Sequence, residues 1–153
     1  MTELVFLPLS GDQLRGWATD GVLPETPHGY AATPAMKEAF GLTDPEDAEY
    51  AALSIASVVG LAAHGERLVA VVSSGFAASE DEFGAVEVAN LSYRQVTALF
   101  GEDSDAAPAD AAAVAVRGMP LDQAWETPEV QSLLEERDLL WYGPGEWEVI
   151  VGR

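Results

Sequence analysis

The run DPEDAEYAALSIASVVGLAAHGERLVAVVSSG, residues 44–75, constrains the fold more than any other part of this chain. Asp44 followed by Pro45 is a helix start. The aspartate side chain accepts a first-turn N–H, and proline suits a position whose own N–H has no intrahelical acceptor. Glu46, Asp47 and Glu49 put negative charge at the positive end of the helix dipole, and His64–Gly65 supplies a C-terminal stop. A helix over 44–64 is about 30 Å long, the width of a small domain. Its apolar residues do not keep to one stripe: Tyr50, Leu53, Ser57 and Leu61 make one face, and Ala51, Ile55, Val58, Val59 and Ala62 make another. A helix apolar on most sides is usually buried on most sides. The RLVAVV that follows lacks polar alternation, which suits a strand covered on both faces. The segment predicts a central helix, a tight turn and a central strand.

The flanking chain supplies the other elements. ELVFLPL at 3–9 reads as a first strand, apolar on both faces, that ends or becomes an edge at Pro8. Ser10 or Asp12 caps a helix through Leu14, Trp17 and Ala18 that stops near Gly21. Thr33–Pro34 starts a short helix, PAMKEAFG, stopped by Gly41. Beyond the central strand, Glu80, Asp81 and Glu82 mark a solvated turn, and AVEVANL alternates as the expected hairpin partner of RLVAVV. The 94–100 segment fits a helix through Val96, Leu99 and Phe100, or a strand through Val96, Ala98 and Phe100; Thr, Val and Phe favour the strand. EDSDAAPAD is a loop, and DAAAVAVRG is a helix capped by Asp110 and stopped at Gly118. Thr127–Pro128 opens another helix, with Leu133 and Leu134 on its apolar side. EWEVIV looks like a last strand after a GPG turn, with Trp147, Val149 and Val151 on one side. The expected fold is one α+β domain over 1–153. A largely antiparallel sheet of four or five strands packs against helices, with residues 44–64 central; alternating helix and strand segments keep a mixed α/β sheet open.

Charge restricts the function classes. There are 26 acidic residues against 7 basic ones, a formal net charge of −19, and Lys37 is the sole lysine. Binding to nucleic acid or to an anionic membrane is electrostatically unfavourable for such a surface. The acidity fits solubility, including in a salty interior, or docking to a basic partner. Mimicry of nucleic acid would need the acids in one stripe, whereas they are scattered over many segments. No apolar run reaches the roughly 18 residues of a membrane span. The N-terminus lacks the basic segment and small-residue cleavage site of a signal peptide. With no cysteine, disulfides, thiolate nucleophiles and Cys-ligated zinc are excluded together. A cytoplasmic protein is expected.

Catalytic signatures are missing. There is no Gly-rich phosphate loop, no nucleophile elbow and no paired His for zinc, so no metal and no cofactor is expected. Residues 21–34, GVLPETPHGYAATP, form a Pro- and Gly-rich loop long enough to be functional, and it carries His28 and Tyr30. The tail carries Trp141, Tyr142 and Trp147, an aromatic group able to floor a ligand site, anchor a partner or complete the core. A site between that loop and the tail, using His28, Tyr30, Trp141 and Tyr142, is the candidate with least against it. Two function classes follow. One is a non-catalytic binding or regulatory domain with a protein partner or a homodimeric mate. The other is a small enzyme acting on a neutral or cationic metabolite through carboxylate acid–base chemistry. The lack of a catalytic signature favours the first.

VFLPL, GVLP, YAATPAMKEAF, EDAEYAAL and DLLWY occur in that order along the chain. They resemble a family of small acidic actinobacterial proteins of unknown function, whose usual forms are YLP, G-x-LP, AVTPALREAY, EELEYAAL and ELLWYA. The resemblance covers most of the chain and is strongest over Thr33–Phe40 and Glu49–Leu53. It departs at the end, where family members continue LLWYA with a Gln-Glu-Leu segment and this chain has GPGEWEVIV. It implies a single actinobacterial cytoplasmic domain, and no activity, substrate or catalytic residue.

Overall fold

Local capping sets most element boundaries in the computed structural model, which describes residues 3–23, 28–77, 79–103 and 105–151. Strand β1 (Glu3–Pro8) leads to Ser10, whose hydroxyl accepts from the Gln13 N–H while Gln13 Oε1 accepts from the Ser10 N–H. That capping box starts helix α1 (Gly11–Asp20), which ends on left-handed Gly21. Strand β2 (His28–Tyr30) precedes helix α2 (Pro34–Phe40), capped by Thr33. Helix α3 (Pro45–His64) starts where Asp44 Oδ1 accepts from the Glu46 N–H at 2.8 Å, and it ends at Gly65. Strands β3 (Val69–Ser74), β4 (Ala85–Glu87) and β5 (Val96–Gly101) follow, β5 being entered through a single 3-10 turn at Tyr93–Gln95. Helices α4 (Ala107–Val116), α5 (Leu121–Trp125) and α6 (Pro128–Glu136), strand β6 (Leu140–Tyr142) and helix α7 (Trp147–Val151) complete the order.

The strands form an antiparallel open sheet in the order β4-β2-β1-β3-β5-β6. On one face Val5, Leu7, Ala70, Val72 and Leu99 pack with Leu14 and Trp17 of α1 and with Trp147, Ile150 and Val151 of α7. On the other face Phe6, Tyr30, Val69, Val71 and Ala98 pack with Met36 of α2 and with Ala48, Ala52, Ile55 and Ala56 of α3. The reverse side of α3, through Val58 and Leu61, packs with Ala109, Ala112, Ala113 and Val116 of α4, Ala124 of α5 and Val130 and Leu133 of α6. The result is four layers, with α3 in an interior one. Ile55 and Val58 are fully buried and Val59 is partly so, as the 44–75 segment predicts. The alanine-rich face of α4 permits this close packing of helix on helix.

Several expectations are corrected. The α+β fold stands, but the sheet has six strands rather than four or five. The 21–34 segment is not all loop: β2 lies inside it, and residues 24–27 are outside the described range. Gly29 reads as a loop residue, yet a Cβ there would collide with the Val5 and Leu7 side chains, so the glycine permits close approach to β1. β4 is not the hairpin partner of β3; it pairs with β2, while β3 pairs with β1 and β5. α4 starts at Ala107, and Asp110 lies in its first turn instead of capping it. The last strand is Leu140–Tyr142, and residues 147–151 of EWEVIV are helical because Trp147, Ile150 and Val151 fall on one helical face against the core.

Candidate functional site

An open apolar groove of about 380 Å³ lies where α3 fails to cover the sheet. Its floor is Leu4 and Phe6 of β1, Val71 of β3, and Ala98 and Phe100 of β5; Thr97 also lines it. Its wall is a single stripe of α3, Glu46, Glu49, Tyr50 and Leu53, spaced i, i+3, i+4 and i+7. The stripe continues to Ser57 and Leu61, which are buried, and Leu61 packs with α4. One helix face is therefore covered at its C-terminal end and open at its N-terminal end.

The edges of the groove are acidic and aromatic. Tyr50 is 55% exposed, and its hydroxyl donates to Asp138 Oδ1 at 3.2 Å. Partial burial and then that hydrogen bond push the Tyr50 phenol above its ordinary value. Trp141 stands opposite Phe100 in the β5–β6 ladder and is 61% exposed, so it extends the same sheet face outward. A buried ion pair ties down the start of β3 and the end of β5 and reaches the approach to β6. Arg67, 2% exposed, makes a bidentate bond to Glu102 and donates to the Arg137 carbonyl at 3.2 Å. Arg137 in turn reaches Asp103 at 3.5 Å and Asp105 at 3.1 Å.

The sheet order separates the four residues expected to share a site. His28 and Tyr30 lie on β2 and Trp141 and Tyr142 on β6, four strand spacings away, or about 19 Å. His28 is exposed opposite Glu87. Tyr30 is buried beside Phe6, and burial, then the charge of Asp81, raises its pKa. Tyr142 is buried on the α1–α7 face, while Trp141 faces the other way. Only Trp141 adjoins the groove. Tyr50 and Leu53 are legible in the sequence as one helix face, but they read there as core; the overlooked signal is that Glu46 and Glu49 share their stripe.

A second cleft, of about 500 Å³, opens between the α3–β3 turn, the end of β5, the start of α4 and α7. Glu66, Glu102, Asp103 and Asp110 line it. Glu66 accepts from the Gly11 N–H at 2.7 Å, Glu102 is held by Arg67 and Asp103 pairs with Arg137, so three of the four carboxylates are engaged in structure. Among the described residues no group of three or more His, Asp or Glu is arranged to hold a metal ion, and no helix is long and apolar enough to cross a membrane.

No curated protein and no solved structure matches this chain. The sequence model of one family matches residues 4–151, nearly the whole length, and on that match the chain belongs to the DUF6912 family, a family of unknown function.

Proposed function

We propose that this chain is a non-catalytic binding or regulatory domain, acting in the cytoplasm, that takes a protein partner in the groove between α3 and the sheet. One observation carries the reading: a helix stripe buried under α4 in its second half stands open over Phe6, Val71, Ala98 and Phe100 in its first. Apolar surface collected into a groove with a charged lip is what a docking site requires, and stability alone would favour covering it. The test is affinity capture from a lysate of the native host, with mass measurement of all retained proteins and small molecules. Proteins held by the wild type and lost by Tyr50→Ser are the expected result. Tyr50 is exposed enough for that change to leave the fold intact.

A second reading is a small enzyme that uses the acidic cleft on a neutral or cationic metabolite. The observation favouring it is that Asp110 lines the larger cleft together with the ion-paired Asp103. A small molecule retained by the wild type, indifferent to Tyr50→Ser and lost with Asp110→Asn, would select this reading over the first.

A further inference from the structure

We infer that the occupant of the groove is a basic amphipathic helix of another protein, rather than an extended peptide or a second copy of this chain. The inference rests on the groove being the docking site and names what docks there. The first argument is backbone satisfaction. β1, β3 and β5, which floor the groove, are interior strands: β3 is paired along both sides, β1 meets β2 at Phe6 and β5 meets β6 over Leu99–Gly101. The bulge at Thr97 is closed by its hydroxyl donating to the Val71 carbonyl at 3.3 Å. The N–H and C=O groups of a sheet lie in its plane, away from the face on which the groove opens. The wall is the side of a helix whose backbone is bonded within itself. The groove therefore offers no ladder of free N–H and C=O groups. An extended segment laid in it would bury its own backbone unpaired, whereas a helix brings its hydrogen bonds with it.

The second argument is continuity. The same α3 stripe is covered further along by α4, a helix presenting Ala109, Ala112, Ala113 and Val116. A helix is thus the element this chain already lays against that stripe, and a helix in the groove would cover the stripe's N-terminal half in the same manner. The third argument is charge. Glu46 and Glu49 line the groove and Asp138 accepts from Tyr50 beside it, while among the described residues no lysine or arginine lines it and Arg67, whose charge reaches Tyr50, is held by Glu102. A second copy would bring another lip of the same sign on a chain of formal charge −19, and like charges brought together oppose association. Lysine or arginine flanking the apolar stripe of the incoming helix would meet the glutamates.

The experiment is selection from a displayed library of random 18-residue peptides against the intact protein, followed by binding of the enriched synthetic peptides to wild type, Tyr50→Ser, Leu53→Glu and the double variant Glu46→Gln/Glu49→Gln. Circular dichroism confirms that each variant is folded, and Tyr50→Ser carries the test if Leu53→Glu does not fold. Expected are net-positive peptides with apolar residues at i, i+3, i+4 and i+7 that gain helicity on binding. They should bind at least tenfold more weakly to Tyr50→Ser or Leu53→Glu, and about three- to tenfold more weakly to the double glutamine variant. Neutral, acidic or proline-rich peptides that still depend on Tyr50 and Leu53 would overturn the helix inference and leave the groove reading standing. Enriched peptides indifferent to both groove variants, or no enrichment at all, would overturn both. A wild-type dimer by sedimentation that Tyr50→Ser dissociates would make a second copy the occupant and overturn the inference.

Discussion

The two halves of α3 face the same sheet and are treated differently. Over Ser54–His64 the helix is sandwiched: Ile55 and Ala56 face the sheet, and Val58 and Leu61 face α4, α5 and α6. Over Pro45–Leu53 it is covered toward β1, β2 and α2 through Ala48 and Ala52, with Leu121 and Trp125 of α5 in the same cluster, and it stands clear of β5 on the side of Glu46, Glu49 and Tyr50. The residues differ accordingly. The closed half uses Ala, Gly, Ile and Val, which allow close approach; the open half places Glu46, Glu49 and Tyr50 on the uncovered side. The contrast teaches that an interior helix need not be interior along its whole length, and that surface left uncovered beside a well-packed region is the place to look for a partner.

The largest expected effect separates the halves by stability. Ile55→Ala empties a fully buried position between helix and sheet and should cost about 2–5 kcal/mol in urea unfolding. Leu53→Ala, two residues earlier on the groove wall, removes a side chain already partly in water and should cost about 1 kcal/mol. Equal costs would mean that the groove is closed in solution, and the comparison would fail.

A smaller effect changes sign. Alanine usually improves on glycine inside a helix by about 0.5–1 kcal/mol. At Gly60, in the closed half, an added Cβ would lie 2.7 Å from the Glu66 carbonyl oxygen. Gly60→Ala should therefore destabilise by about 1–3 kcal/mol. Gly16 in α1 meets nothing within 4 Å, and Gly16→Ala should follow the ordinary rule and raise stability. Two stabilised variants would show that α3 does not bear directly on the turn that follows it.

Both halves of α3 are legible in the sequence as helix, and only one as buried. Caps at Ser10, Thr33 and Asp44 and stops at Gly21, Gly41 and Gly65 can be read because capping involves residues a few positions apart. What cannot be read is pairing across the sheet. β2 is three residues inside a Pro- and Gly-rich segment, and β4 finds that strand instead of its sequence neighbour β3. The tail misleads for a different reason. Val149, Ile150 and Val151 favour a strand by type, but with Val149 turned out to solvent, Trp147, Ile150 and Val151 keep a helical interval that packs on the core. Of the expected site only Trp141 lies beside the groove, since opposite ends of a six-stranded sheet cannot be brought together by local pattern.

The smallest effect reads the same contrast through ionisation. Tyr93 sits partly buried on the opposite sheet face, edge-on to Trp17 at 5.3 Å, with its hydroxyl donating to the Pro144 carbonyl at 2.7 Å. Burial pushes its pKa up to about 12. Tyr50, at the open groove, is also raised, by burial and then by its bond to Asp138. A phenol is neutral in its acid form, so a folded-state pKa above the unfolded value near 10 gives stability that is complete below pH 10 and lost as pH climbs through 12. Denaturation midpoints should hold up to about pH 10 and then fall. Tyr93→Phe should remove part of that decline, Tyr30 with its own raised pKa supplying another part, and delete a late step in an ultraviolet titration, while Tyr50→Phe should change less. The comparison sharpens when the groove is filled. A bound peptide that covers Tyr50 withdraws it from water, and its ionisation should move to higher pH while that of Tyr93 stays in place. If a peptide binds and the Tyr50 step does not move, the open half of α3 is not where it sits.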